Sequence, residues 1–250
     1  MRCLLKGIPF DSPLYEVDEE RGVEYRNCEA IVGFFTIKGD VSDLLPEGLK
    51  PYSEPAQGGV WISHYSFSTL GEYYEFLSVI QVEDDRGDMC YYIPYIYVTN
   101  DAALAAGREI AGAPKKLAKI GLVKEFDVVM GYLERPTGKR LVTFVMKPSF
   151  RAMSELIDVV LPKPTYLYSV RHLPSVKGKE VTQLVKWYAD IDFHVDPRGE
   201  RVIFAGPGNV TYDSPSAVDP VHKIEVDTFM TALYFQFDMK LGFVEVLREF

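Results

Sequence analysis

Three long runs of β-branched and aromatic residues constrain the fold of this 250-residue chain more than any other feature. The runs are Val60–Ser68, Tyr73–Val82 and Met89–Thr99, and residues of these types favour β-strands. The polar, glycine-containing segment 83–88 between the second and third runs predicts a hairpin turn. Pro94 lies within the third run, where a proline predicts an edge position or a bulge because it cannot donate a ladder hydrogen bond.

The remaining predicted elements are mostly strands. Further strands are predicted at Leu122–Leu133, Arg140–Met146, Tyr166–Arg171, Val181–Val195 and Arg201–Phe204, with a hairpin connection at 134–139. Helices are predicted at Asn100–Ala111, Phe150–Asp158 and Val41–Leu45. In the first helix, Asn100 or Asp101 can cap the start and Gly112 can end the helix. These patterns together predict a β-rich α+β fold with few helices, in a single domain over residues 1–250.

Composition argues against several classes of protein. A hydrophobic content of 47% with 25% charged residues is typical of a globular chain that buries a core. The 27 basic and 36 acidic residues give a net charge of -9, which opposes a nucleic-acid-binding surface. Cys3, Cys28 and Cys90 and the four histidines have no metal-ligand spacing, so we expect a reducing compartment and no metal site.

The sequence also argues against secretion and membrane insertion. No apolar segment follows the basic start of Met1–Pro13. No apolar run reaches the roughly 18 residues that a membrane helix needs. We therefore expect a cytoplasmic protein that binds neither membranes nor nucleic acid.

The segment with the most chemical information is Gly112-Ala113-Pro114-Lys115-Lys116, directly after the first predicted helix. Lys115 is a candidate Schiff-base nucleophile, but a nucleophilic amine must be neutral and the pKa of a free lysine is about 10.4. Reaction near neutral pH thus requires about 5 kcal/mol of bias against the charged form. A Lys116 ammonium about 6 Å away would supply roughly 3 kcal/mol at an effective dielectric of about 20. Burial must supply the rest. A Lys-Lys pair alone is also typical of a solvated surface.

The wider segment resembles the acetoacetate decarboxylase family, whose most recognisable run is present here at Gly107–Glu109 and Pro114–Leu117. Acetoacetate decarboxylase is itself a standard example of lysine activation by a neighbouring cation. The resemblance implies that Lys115 forms the Schiff base and that Lys116 helps to lower its pKa. The segment 71–75 is similar to the family's Gly-x-Tyr-x-Glu segment, which implies that Glu75 reaches the substrate pocket.

The likeness extends over most of the chain. Lys163–Leu167 resembles a later Arg-Pro-Asn-Tyr segment of the family, and Phe204–Gly208 resembles the portion before its last strands. The resemblance implies an antiparallel, closed cone-like or barrel-like sheet with few helices. It also implies a homo-oligomer that needs no cofactor and acts on a small keto acid.

Two features depart from the family pattern. The family's second acidic pocket residue has no counterpart, because Val60–Ser63 contains no carboxylate. The N-terminal arginine that holds the substrate carboxylate in the family matches Arg26 only when the alignment is shifted by one residue. Arg26 is therefore a candidate substrate-binding residue that also fits an ordinary surface strand.

These features imply a carboxy-lyase that decarboxylates acetoacetate or a related β-keto acid through an iminium on Lys115. Glu75 would position the substrate or relay protons, and Arg26 would orient its carboxylate. The missing carboxylate leaves open a pyruvate-dependent aldolase-dehydratase that uses the same lysine. A non-catalytic keto-acid-binding protein is a third possibility.

Overall fold

The computed structural model describes Tyr15, residues 22–83 and residues 86–250, with the backbone alone at 243–244. Residues 1–13, including Cys3, and residues 84–85 of the predicted turn lie outside the described residues. The strands, in chain order, are β1 Val23–Ile37, β2 Lys50–Pro51, β3 Gln57–Tyr65, β4 Phe67–Ser68, β5 Tyr73–Glu83, β6 Met89–Val98, β7 Lys115–Leu117, β8 Lys119–Glu125, β9 Val128–Glu134, β10 Arg140–Met146, β11 Phe150–Arg151, β12 Thr165–Leu173, β13 Val181–Phe193, β14 Ile203–Gly206, β15 Gly208–Tyr212 and β16 Val226–Glu249.

Helical structure is short and sparse. Two α-helices, α1 Asp101–Ala106 and α2 Ser154–Val160, are accompanied by a π-helical turn at Gly107–Ala111 and 3-10 turns at Ser42–Leu44 and Val221–Lys223. None of the helices in the described part of the chain has the length and apolar character needed to cross a membrane.

Two sheets make up most of the fold. In the larger sheet, neighbouring strands follow the order β1-β3-β5-β6-β12-β13-β16, and β16 pairs again with β1, so that the order returns to its start. Most pairs are antiparallel, but β6 pairs in parallel with β7 and with β12. The smaller sheet has the order β15-β10-β9-β8. The predicted β-rich fold with few helices is confirmed.

The two faces of the larger sheet bury different cores. Along β1, Val32 and Phe34 belong to one hydrophobic cluster, whereas Ile31 and Phe35 belong to another. This division follows from the alternation of side chains along a strand. The first cluster lies inside the ring of strands, and the second includes Phe144 of the smaller sheet. The inner face is the one that contains the candidate site.

Several local predictions are confirmed. Strands β5 and β6 form the predicted hairpin, and their register slips between Ser78 and Ile80, opposite the stretch that contains Pro94. The predicted bulge is therefore present. The Asn100 side chain accepts a hydrogen bond from the backbone of Ala103 and caps α1.

Other local predictions are wrong in detail. The single strand predicted at Leu122–Leu133 is two strands, β8 and β9, separated by a turn in which Phe126 has a φ of 52°. The helix predicted at Phe150–Asp158 begins only at Ser154, because Phe150 pairs with β14 as part of β11. The helix predicted at Val41–Leu45 is one 3-10 turn.

Candidate active site

A tight turn between α1 and β7 places Lys115. The π-helical turn ends at Ala111, and the next residue, Gly112, has a φ of 66°; a Cβ there would lie 2.4 Å from the backbone nitrogen of Arg171. Only glycine fits such a position without strain. The Lys115 side chain then passes over Gly107, where a Cβ would lie 2.5 Å from Lys115 Cδ. The Arg108 guanidinium donates to the Lys115 carbonyl at 3.2 Å and holds the start of β7.

Lys115 and Glu75 form a buried ion pair. Lys115 Nζ lies 2.8 Å from Glu75 Oε2, and the two side chains are only 7% and 6% exposed. The other carboxylate oxygen, Oε1, accepts a hydrogen bond from the Tyr65 hydroxyl at 3.0 Å. The structure therefore brings together two residues that the sequence places 40 positions apart. A proton can pass between amine and carboxylate along this contact.

Three buried tyrosines surround this pair. The hydroxyls of Tyr25 and Tyr73 lie 2.9 Å apart, and Lys115 Nζ lies 5.7 Å from the centre of the Tyr73 ring. Burial, reinforced by nearby Glu75, raises the pKa of Tyr65 well above its usual value. Burial likewise raises the pKa of Tyr73 and of Tyr25. Tyr65 thus keeps its proton and remains a donor to Glu75 at every pH near neutrality.

Lys116 points to the opposite face of the sheet. In the pairing of β7 with β6, Lys115 is aligned with Ile96 and Lys116 with Tyr97, and these two partners belong to different hydrophobic clusters. Lys116 Nζ lies 3.0 Å from Asp219 Oδ1 and also donates to the carbonyl of Val218. The two ammonium groups therefore do not share a cavity, and the charge of Lys116 is balanced by a carboxylate.

Asp219 is the centre of a cluster on that outer face, formed by Asp219, Lys116, Arg135 and Tyr97 and called here the Asp219 cluster. Arg135 Nε donates to both carboxylate oxygens at 3.1 and 3.2 Å, and the Tyr97 hydroxyl donates to Oδ1 at 3.3 Å. The Asp219 side chain is 3% exposed, whereas those of Lys116 and Arg135 are 38% and 36% exposed. Through Lys116, this cluster attaches the outer face of β7 to the loop that contains Asp219.

A large apolar cavity opens on the Lys115 side. Its empty volume, including the part open to solvent, is about 700 Å³. A second space of about 490 Å³ lies beside α1 and shares Tyr25, Lys115, Trp187 and Leu241 with the first. Among the described residues that line either space, Glu75 and Lys115 are the charged ones. The ion pair is thus the charged point of a mostly apolar chamber.

The segment that lacks the family's second acid lines this cavity. Val60 and Trp61 are in its wall, and the Trp61 ring packs edge-on against Phe235 and Phe237. Glu75 is consequently the carboxylate available to a bound substrate among the described lining residues.

Arg26 is not brought into the cavity. Its side chain is 53% exposed and pairs with Asp238 at 3.2 Å and Glu24 at 3.4 Å, while the preceding Tyr25 faces inward. Burial acts to raise the pKa of Asp238, but hydrogen bonds from the Asn27 backbone, Arg26 and other neighbours outweigh it and hold that pKa below its usual range. The position of Arg26 is that of a surface ion pair.

Cysteine and metal chemistry find no support in the described residues. Cys28 and Cys90 are buried cysteines, and burial raises the pKa of the Cys28 thiol to about 12. Within the part of the chain that the structure describes, no three His, Cys, Asp or Glu side chains are grouped as metal ligands would be.

The sequence did not single out Tyr65, Tyr25 or Asp219 as functional. Tyr25 and Tyr65 belong to aromatic strands in which most such residues only fill the core. Asp219 lies in an irregular loop about a hundred residues after Lys116, and only the folded chain shows that they meet.

Comparison with known proteins gives one family. The model of the acetoacetate decarboxylase (ADC) family matches residues 11–250. Acetoacetate decarboxylase 2 from Mesorhizobium japonicum is 28% identical over 100% of this chain and 91% of its own length.

Two solved structures are similar in fold. The acetoacetate decarboxylase of Legionella pneumophila superposes with a TM-score of 0.82 at 23% identity and covers 100% of this chain and 99% of its own. MppR, an enduracididine biosynthesis enzyme solved with the condensation product of pyruvate and imidazole 4-carboxaldehyde, has a TM-score of 0.76 at 17% identity. That alignment covers 95% of this chain and 92% of the other.

Proposed function

Because the chain belongs to the acetoacetate decarboxylase family, we propose that it decarboxylates a β-keto acid through a Schiff base on Lys115. The observation that supports this most is the 2.8 Å contact between Lys115 Nζ and Glu75 inside an apolar cavity. It provides a nucleophile, a proton carrier and a water-poor environment in one place.

The first step is formation of the neutral amine. Transfer of one proton from Lys115 to Glu75 along their 2.8 Å contact converts the ion pair into an amine and a carboxylic acid. The amine nitrogen then attacks the ketone carbon. Glu75 returns a proton to the resulting hydroxyl, which leaves as water, and the C–N bond becomes a cationic iminium.

The second step removes charge. The substrate carboxylate and the iminium carry opposite charges, and both disappear when the C–C bond breaks and its electron pair moves toward nitrogen. Carbon dioxide and a neutral enamine result. A transition state that loses charge is favoured in a site of low polarity, and the apolar wall of this cavity provides one.

The last steps regenerate the enzyme. The enamine carbon takes a proton that Glu75 relays from solvent, and water then hydrolyses the iminium to release the ketone and free Lys115. Tyr65 holds Glu75 in position throughout, because it stays protonated and donates to Oε1. In this mechanism Lys116 acts through the Asp219 cluster by fixing β7, and Arg26 has no step.

A second candidate function uses the same iminium for carbon–carbon bond formation. A pyruvate-dependent aldolase-dehydratase would form an enamine from pyruvate and add it to an aldehyde. The absence of a carboxylate in Val60–Ser63, a segment whose Val60 and Trp61 line the cavity, favours this alternative. The MppR complex shows such a condensation product in a protein of similar fold.

Product analysis separates these functions. The purified chain is incubated with acetoacetate, and with pyruvate plus an aldehyde, and the products are identified by mass spectrometry after subtraction of enzyme-free decarboxylation. Carbon dioxide and acetone from acetoacetate support the decarboxylase. A condensation product from the second mixture alone supports the aldolase-dehydratase, and no reaction with either argues for a non-catalytic binding protein.

A further inference from the structure

We propose that the preferred substrate is a β-keto acid whose ketone carbon carries an extended apolar chain, and that acetoacetate fills only the charged end of its site. This proposal rests on the proposed function, because it assigns the substrate class of the Lys115 site.

The length of the cavity is the first observation. On β5, Glu75, Leu77 and Val79 all line it, and at about 3.4 Å per residue the cavity follows this strand for roughly 14 Å. On β6, Ile96 is aligned with Lys115, whereas Tyr91 lines the cavity roughly 16 Å further along the strand. The chamber therefore extends well beyond the reacting atoms.

The chemistry of the wall is the second observation. The charged groups, Glu75 and Lys115, lie together at one end, and the wall beyond them is built from aliphatic and aromatic side chains such as Phe34, Leu77 and Val79. Water in an apolar space lacks hydrogen-bond partners and is held poorly. A four-carbon acid bound at Lys115 would leave the part lined by Val79 and Tyr91 to such water. An apolar chain would replace it and bury its own surface.

The end away from Lys115 has a fixed structure. The Tyr91 hydroxyl donates to the Val160 carbonyl at 2.5 Å and accepts from Gln81 Nε2 at 3.4 Å, while Leu161 after α2 completes the wall. Because the Tyr91 hydroxyl already has these partners, an apolar substrate chain that reaches Tyr91 deprives no polar group of a hydrogen bond. This end therefore limits the length of the chain.

The reaction itself is unchanged by the longer chain. Lys115 forms the same iminium, the bond to the carboxyl carbon breaks, and one proton from solvent replaces carbon dioxide. The products are carbon dioxide and a methyl ketone with one carbon fewer than the acid, so no oxidant or reductant is needed.

A series of unbranched 3-oxo acids tests the proposal. Carbon dioxide release by the full chain is measured with 3-oxobutanoate, 3-oxohexanoate and 3-oxooctanoate, and the enzyme-free rates are subtracted. Each buried methylene should raise kcat/KM about fourfold, so two methylenes should raise it about fifteenfold. A flat or falling series overturns the proposal and leaves the decarboxylase function intact. Absence of carbon dioxide release with all three acids contradicts the proposed function itself.

A variant tests where the apolar chain of the substrate lies in the cavity. Val79→Phe fills the space beside Leu77, and we expect the ratio of kcat/KM for 3-oxooctanoate to that for 3-oxobutanoate to fall at least tenfold. Val159→Phe is the matched control, because Val159 lies on α2 and is 68% exposed. Equal ratios in the two variants contradict the proposal.

A measurement on the unaltered protein covers the case in which Val79→Phe does not fold. Acetone and 2-heptanone are compared as competitive inhibitors of acetoacetate decarboxylation. We expect 2-heptanone to bind at least tenfold more tightly, because it fills the apolar part of the cavity. Equal or weaker inhibition by 2-heptanone overturns the proposal.

Discussion

Lys115 and Lys116 are neighbours in the chain, but their side chains lie in different surroundings. Lys115 enters an apolar cavity and touches the buried Glu75, whereas Lys116 is partly exposed and pairs with the buried carboxylate of Asp219 on the other face of the sheet. The register of β7 against β6 makes this separation unavoidable, because consecutive strand residues point to opposite faces.

The contrast indicates which physical effects would prepare Lys115 as the proposed nucleophile. A repulsive cation beside Lys115 was expected from the dipeptide, but Lys116 is balanced by Asp219, a carboxylate that also binds Arg135. The remaining effects on the Lys115 side are removal from water and the proton exchange with Glu75. Chemistry is therefore assigned to the inner face of β7 and support to the outer face.

Replacing each lysine in turn is the strongest test of this assignment of different roles to the two faces. Lys115→Met should lower kcat/KM by roughly 10⁵-fold, since the covalent intermediate and its positioning are lost together. Lys116→Met, the matched control on the outer face, should lower it less than about tenfold, since Lys116 has no step in the mechanism and Arg135 still pairs with Asp219. Steady-state assays check both. Comparable losses in the two variants would place Lys116 in the chemistry.

Glu75 provides the next largest effect. Glu75→Gln keeps the shape of the side chain but cannot accept the Lys115 proton, and we expect kcat to fall about 10²- to 10⁴-fold. Borohydride trapping should show slower iminium formation in this variant. Full activity of Glu75→Gln would mean that another group moves the protons.

Tyr65 is expected to contribute less, because it acts on Glu75 and not on the substrate. Tyr65→Phe removes the donor to Oε1, and a lost hydrogen bond to a charged group corresponds to roughly a 10- to 100-fold fall in kcat/KM. Tyr212→Phe serves as the control, because Tyr212 packs against the outer-facing cluster and its buried hydroxyl has no hydrogen-bond partner among the described residues. A Tyr65→Phe enzyme with unchanged kinetics would show that Glu75 needs no such support.

A substitution on the outer face should change the stability of the protein. Asp219→Asn removes the negative charge that Lys116 and Arg135 share, and we expect the free energy of unfolding to fall by about 1 to 2 kcal/mol, because both cations are partly exposed and water can solvate them. The control, Asp127→Asn, alters an exposed pair with Lys147 and should not measurably change the denaturation midpoint. If Asp219→Asn is as stable as the control, the cluster does not hold β7.

The smallest effect at neutral pH is the titration of the buried tyrosines. Burial raises the folded-state pKa of Tyr65 and Tyr73 well above the unfolded value near 10. The contribution of these two tyrosines to the free energy of unfolding is thus complete below about pH 10. It is lost as the pH rises above that value, by up to about 1.4 kcal/mol per pH unit for each proton. Urea unfolding between pH 8 and pH 11 measures the slope. A slope in Tyr65→Phe equal to that of the unaltered protein contradicts this assignment.

The sequence predicted the inner face better than the outer one. Lys115 and Glu75 stand in recognisable segments, and the structure brings their side chains together. The direction of Lys116 depends on β7, a strand of three residues that includes both lysines and has no β-branched or aromatic residue. No local pattern predicts such a strand, because its pairing with β6 is what holds it in place.

Two long strands were also not predicted, although they complete the ring of the larger sheet. In β1 the register slips between Tyr25 and Cys28, and Asn27 has a φ of 52°, so the alternation of apolar and polar residues is interrupted. Within this irregular stretch, Tyr25 faces inward and Arg26 faces outward. A sequence alignment that can be shifted by one residue does not decide which of the two side chains faces the cavity. β16, Val226–Glu249, pairs with three strands and is far longer than a typical strand of five or six residues.

Borohydride trapping with acetoacetate tests the division between the two lysines most directly. The protein is reduced during turnover, digested and mapped by mass spectrometry, with Lys115→Met and Lys116→Met treated in parallel. We predict an isopropyl adduct on Lys115 in the unaltered protein and in Lys116→Met, and none in Lys115→Met. An adduct on Lys116 or on any other residue, or no adduct under conditions in which carbon dioxide is released, would contradict the assignment of Lys115 as the nucleophile.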